Sequence, residues 1–197
     1  MKGLAILGSP RKGGNSEILL DAFLAGAREE GGEAEIVRVN DLLFRPCQNC
    51  GGCARTGQCV LRDDLTPVYE RIENAAWLAV CSPIYFYGVS AQTKMFIDRM
   101  QAYWSRKHLL GDPRLNDPAR RRPGVFLSVA ATSGPRIFSG AVLEVRYGME
   151  AMGFAYSGEV LVRGVDSRGA MEKRPEELAA AARLGAALVR GELAAVE

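Results

Sequence analysis

Short apolar runs alternate with longer amphipathic segments along the whole chain, five pairs in all, which is the pattern of a parallel sheet flanked by helices. The apolar runs at residues 3–7, 35–39, 77–82, 124–130 and 155–162 are mostly rich in Val, Ile, Leu and Ala, as strands covered on both faces must be. Between them, residues 16–28 repeat Leu19, Ala22, Phe23 and Gly26 at helical spacing, and residues 91–103 do so through Phe96, Met100 and Tyr103. Residues 64–75 and 139–152 read as the second and fourth helices, and 176–190 follow Pro175, a residue suited to the first helical turn. The expected architecture is an α/β fold with a doubly wound parallel sheet and helices on both faces, in one domain over residues 1–197.

Composition refines this picture by exclusion. A chain of 197 residues is long enough for one sizeable core, and a formal charge of +2 is too small for a nucleic-acid partner. The one basic run, Arg120-Arg121-Arg122, ends at Pro123 without interleaved aromatics and reads as a solvated loop. The apolar N-terminus soon meets Arg11 and Lys12, too early for a signal sequence or a membrane span, so the expected location is cytoplasmic with no membrane partner. Four of the five cysteines fall within residues 47–59, which in a reducing compartment points to metal or redox chemistry rather than disulfides. That cysteine-rich segment lies in one of two unusually long connections, residues 42–63 and 105–122.

Candidate chemistry begins after the first strand, at Gly8-Ser9-Pro10-Arg11-Lys12-Gly13-Gly14-Asn15-Ser16. A helix follows directly, so backbone N–H groups at its start can point at an anion. Ser9, Asn15 and Ser16 add neutral donors, and Arg11 adds a planar, permanently charged fork. The loop lacks the Lys-Ser/Thr pair of a Walker loop and the Gly-x-Gly-x-x-Gly of dinucleotide folds, which leaves a terminal phosphate as its ligand.

Doubly wound sheets bind ligands beyond the C-terminal ends of strands, where the winding reverses. After the third strand come Pro83, Ile84, Tyr85, Phe86, Tyr87 and Gly88, an aromatic density suited to covering a planar flavin ring. After the fourth, Thr132, Ser133 and Gly134 allow close approach of backbone to the same ligand. Cys47, Cys50, Cys53 and Cys59 have the spacing C-x2-C-x2-C-x5-C, whose tight intervals suit a [4Fe-4S] cluster; a tetrahedral zinc and thiols without metal are the alternatives.

Taken in order, the loop at Gly8 to Ser16, the four cysteines, Asp63-Asp64, Ser82-Pro83-Ile84-Tyr85-Phe86, Lys94 and Asp98-Arg99 resemble the NAD(P)H-dependent FMN reductase superfamily, and within it the iron-sulfur flavoprotein branch. The resemblance implies a flavodoxin-like sheet of order 2-1-3-4-5. It implies FMN phosphate at Ser9, Arg11, Asn15 and Ser16, and isoalloxazine at Pro83 to Gly88 and near Thr132 to Gly134. It also implies a homodimer or homotetramer, with NAD(P)H or a ferredoxin-like carrier as electron partner. The chemistry is then that of FMN, with no catalytic side chain required.

The expected function is an FMN-dependent oxidoreductase, with a non-catalytic flavodoxin-like carrier or a regulatory module that keeps the fold as alternatives. Of the remaining residues, Asp63 and Asp64 read as helix caps, Cys81 as a buried inert thiol, and Lys94 and Arg99 as facing a neighbouring subunit. His108, the only histidine, has no site around it in the sequence.

Overall fold

The computed structural model describes residues 1–196. Its strands are β1 (Lys2–Leu7), β2 (Glu33–Arg38), β3 (Leu78–Pro83), β4 (Arg122–Val129) and β5 (Phe154–Val162), each within two residues of the run that predicted it. They form one sheet of order β2-β1-β3-β4-β5, every pair parallel. The helices are α1 (Asn15–Glu29), α2 (Cys53–Thr56), α3 (Thr66–Asn74), α4 (Ala91–Arg99), α5 (Gln101–His108), α6 (Pro113–Asn116), α7 (Ser139–Ala151) and α8 (Pro175–Arg190).

The period-two alternation of the strands divides the core into two layers. Ala5, Leu7, Ala79, Val125 and Leu127 pack with Leu20, Phe23 and Leu24 of α1 and with Ala181 and Leu188 of α8. Leu4, Ile6, Leu78, Val80 and Phe126 face the other way, onto Val68 and Ile72 of α3, Phe96 of α4, Tyr103 of α5 and Met149 of α7. The order reverses at β1, so the loops leaving β1 and β3 open side by side.

Three sequence expectations change. The helix expected over residues 91–103 is interrupted at Met100, where the backbone takes φ −72° and ψ 0°, and a second helix, α5, runs on to His108. The segment expected as a loop over residues 105–122 is therefore partly helical, with the end of α5 and all of α6 inside it. Arg122 is not a solvated loop residue. It opens β4 half-buried, donates to the carbonyls of Ile72, Ala75 and Met152 at 2.7–3.1 Å, and lies 4.0 Å over the Phe154 ring. Orphan carbonyls at the end of α3 attract a fixed cation, and the aromatic face covers its other side.

Candidate functional site

At the head of β1, α1 begins at Asn15 without a side-chain cap, so its first-turn N–H groups stay available to an anion. Ser9 closes the loop on itself: its Oγ accepts from the Arg11 N–H at 3.3 Å. Glu17, an anion in the first turn, accepts from the Gly13 N–H at 2.6 Å and is paired with Arg38. Burial works against its charge, but Arg38 and the Gly13 N–H prevail and lower its pKa. Arg38 thus offsets the one acidic side chain of that turn.

The Asn15 side chain, expected to donate to a phosphate, is engaged within the chain. Its Nδ2 donates to Ser167 O at 2.9 Å, and its Oδ1 accepts from the Met171 N–H at 3.1 Å. Arg168 reaches back to Lys12 O at 2.8 Å. The segment after β5 is thereby clamped onto the loop that leaves β1, a contact between residues more than 150 positions apart. Its sequence signal was weak: an Asp-Ser-Arg-Gly run at residues 166–169 with no periodicity around it.

The loops converge. Ser9, Arg11, Gly14, Asn15 and Ser16 line a cavity of about 80 Å³ together with Pro83, Ile84 and Tyr85, and Asp166 closes its far wall. Beside it, Tyr85 and Gly88 exchange two backbone hydrogen bonds of 3.0 Å across a tight turn. The two central residues, Phe86 and Tyr87, take φ +50° and +65°, a left-handed turn built from bulky side chains that normally avoid it. Each such residue stores about 1–3 kcal/mol of strain, a cost found where function holds the backbone. Phe86 is fully exposed at its tip, 103% of the reference accessibility. Thr132 and Ser133 are exposed on the neighbouring loop, and the Tyr87 hydroxyl approaches Gly134. At Gly140 a side chain would stand 2.7 Å from the Tyr87 carbonyl, so α7 starts where only glycine lets this turn sit.

Beneath the turn lies a buried hydroxyl network. Ser90 Oγ donates to Gly8 O at 2.7 Å and meets Thr93 Oγ1 at 2.9 Å; Thr93 donates to Ser82 Oγ at 3.2 Å; Ser128 donates to Ser82 O at 2.7 Å. The loop leaving β1 and the start of α4 are therefore tied to β3, and β3 to β4, under the cavity. Cys81 is fully buried there, donates to Ser16 O at 3.1 Å and has its pKa pushed up by burial, as an inert thiol should.

The second site is the cysteine segment. Cys47, Cys50, Cys53 and Cys59, all unpaired, line one cavity of about 150 Å³ with Val60, Leu61, Ala102 and Leu109. Among the described residues no three Cys, His, Asp or Glu converge as a single ion needs. One zinc demands four sulfurs within about 2.3 Å of a point, whereas a multi-iron cluster spreads them round a larger body. Four thiols lining one cavity are a donor set that either centre can take.

Asp63, Asp64 and Arg99 cinch the base of that segment, Asp64 and Arg99 in roles other than those expected. Arg99, 1% exposed, is buried within its own chain rather than displayed on the surface. It donates to Asp63 Oδ2 and to Arg45 O, both at 2.7 Å. Asp63 also accepts from the N–H groups of Arg45 and Leu65, and Asp64 accepts from Leu43 N–H at 2.8 Å. Asp63 thereby also caps the turn into α3, its own N–H donating to Thr66 Oγ1 at 3.0 Å. Burial opposes both charges of the pair, yet the mutual hydrogen bonds lower the Asp63 pKa and raise that of Arg99.

A parallel sheet of this order, with a phosphate-type loop after β1 and an aromatic turn after β3, defines a flavodoxin-like protein. The chain belongs to the NADPH-dependent FMN reductase family, whose pattern matches residues 1–153. It is 41% identical over 111 residues to an iron-sulfur flavoprotein of Archaeoglobus fulgidus, covering 56% of this chain and 50% of that one. It is 29% identical over 187 residues to a putative NAD(P)H-dependent FMN-containing oxidoreductase, YwqN, of Bacillus subtilis, covering 93% and 96%. The chain spans about half the length of the iron-sulfur flavoproteins it matches first. In fold it superposes on an NAD(P)H:quinone oxidoreductase from Methanothermobacter marburgensis with a TM-score of 0.71 at 22% identity, over 95% of this chain and 96% of the other. Among the described residues no helix is long and apolar enough to cross a membrane.

Proposed function

We propose that the chain is an FMN-dependent oxidoreductase that takes electrons from a nicotinamide cofactor or a protein carrier and passes them to an acceptor. The observation that carries this reading is the convergence of the phosphate loop and the aromatic loop on one cavity at the point where the sheet order reverses. Arg11, the N–H groups of Asn15 and Ser16 and the Ser9 hydroxyl bind the terminal phosphate, while the Asn15 side chain holds the loop in place through Ser167 and Met171. Pro83, Ile84 and Tyr85 line the passage from phosphate to ring. Phe86, Tyr87 and Gly88 form the turn against which the ring lies, with Thr132 to Gly134 on its other side. Bound FMN supplies hydride and single-electron chemistry; the protein supplies orientation and a wall that keeps water from one ring face.

The four thiols lining one cavity favour a second cofactor, a [4Fe-4S] cluster held by Cys47, Cys50, Cys53 and Cys59. Together the two centres let a two-electron flavin exchange single electrons with a ferredoxin-like carrier. Assembly as a homodimer or homotetramer would cover the exposed turn at Phe86.

Anaerobic purification followed by absorption spectroscopy and iron analysis tests both cofactors: flavin bands with stoichiometric iron are expected, and flavin bands alone remove the cluster. Steady-state oxidation of NADH and NADPH with quinone, ferric and oxygen acceptors tests turnover. No turnover with any pair leaves an electron carrier or a regulatory module in place of a reductase.

A further inference from the structure

Arg99 is the most buried charged side chain beside the thiol cavity, and it is one of the residues lining it. Its Nη1 and Nη2 are satisfied by Arg45 O and the Asp63 carboxylate, but its Nε is buried without a hydrogen-bond partner. An unsatisfied guanidinium N–H away from water is costly, and buried polar groups are nearly always paired. The neighbouring Tyr69 spends its one hydroxyl proton on the Arg99 carbonyl at 2.8 Å, so that proton is not available to a sulfur. On the same wall Ser105 Oγ already donates to Cys53 Sγ at 3.5 Å, so sulfur in this cavity is met by donors.

We propose that Arg99 is a positioning residue for the iron-sulfur centre of this cavity, donating Nε–H to a sulfur there and holding a fixed positive charge beside it. The assignment rests on the reading of the four cysteines as cluster ligands. A donor to a sulfur spreads its negative charge and favours the reduced state, and outer partners of this kind also hold ligands in place. Asp63 keeps the guanidinium oriented, and through Arg45 and Leu65 it binds the same group to both ends of the cysteine segment.

The test uses the full chain, reconstituted without oxygen with ferrous iron and sulfide, as wild type, Arg99→Lys, and the paired Arg99→Leu/Asp63→Leu. Lysine keeps the charge and its partner but lacks the Nε donor; the paired variant leaves no unpaired buried charge. Retained FMN and an unchanged far-ultraviolet spectrum establish the fold, and if the paired variant does not fold, Arg99→Lys carries the comparison. Both variants are expected to load iron with a lower midpoint potential by spectroscopic redox titration, and to lose it to a chelator roughly 10–100-fold faster. Equal potentials and equal loss rates overturn the role of Arg99 while leaving the cluster standing. A wild-type chain that takes up no iron-sulfur centre overturns both readings, and the two failures are therefore distinct.

Discussion

The Arg99 guanidinium meets the Asp63 carboxylate through bonds of 2.7 and 3.2 Å, joining the last turn of α4 to the point where the cysteine segment ends. The Arg99 side chain is fully buried and that of Asp63 is 13% exposed, so removing one partner strands the other charge out of water. Asp63→Ala is expected to lower stability by about 3–5 kcal/mol, the cost of breaking a buried pair. Urea unfolding followed by circular dichroism measures it, and a loss below ~1 kcal/mol would show the pair to be no more than a surface bridge.

Acid should act on the same element. The Asp63 pKa is depressed in the folded chain, and that of Asp112, held by Arg114 and Arg106 against the effect of burial, falls to about 2. A depressed folded pKa means that the stabilisation is complete above the ordinary carboxylate value of about 3.9 and disappears as pH falls through the lower folded value. Melting temperature should therefore drop between about pH 4 and 2, and Asp63→Asn should flatten that slope. An identical slope in the variant would remove Asp63 from the acid transition.

Gly8 is where the phosphate loop rests on the hydroxyl network, and a methyl group there would stand 1.7 Å from Thr93 Oγ1. Gly8→Ala forces Thr93 away from Ser90 and Ser82 and is expected to cost about 1–3 kcal/mol of stability, as overpacking does. FMN affinity should fall with it, because the loops of β1 and β3 lose their common support. Calorimetry and flavin fluorescence titration give the two numbers.

The turn at Phe86 and Tyr87 invites the opposite substitution. Asn-Gly is the pair that a left-handed two-residue turn prefers, so Phe86→Asn/Tyr87→Gly should stabilise the flavin-free protein by about 1–3 kcal/mol through relief of strain. The same variant should bind FMN more weakly. A gain in stability with unaltered affinity would separate the turn from the ring.

Arg11→Ala should weaken FMN binding by about 1.5–3 kcal/mol if the guanidinium makes a charge-assisted bond to phosphate. Riboflavin, which lacks the phosphate, should bind wild type and variant alike. Titration of both ligands checks the difference, and an equal loss for both would displace Arg11 from the phosphate.

The alternation of apolar runs and amphipathic segments determined the strands, most helices and the winding of the sheet, because burial on two faces imposes a local signature on each segment. The loop at residues 9–16 was legible for a similar reason: it is contiguous and joins an apolar strand directly to a helix start. The tertiary structure alone decided what distant residues do to one another. Asn15 became a clamp because Ser167 and Met171 come within reach only when α1 and the segment after β5 pack together. Arg99 became a buried partner of Asp63, 36 positions away, because the end of α4 packs against the end of the cysteine segment. Arg122 left solvent for carbonyls supplied by α3 and by the end of α7. Each of these contacts joins groups 30 to 156 positions apart, and the free energy of such a pairing exists only once the core has brought both ends together.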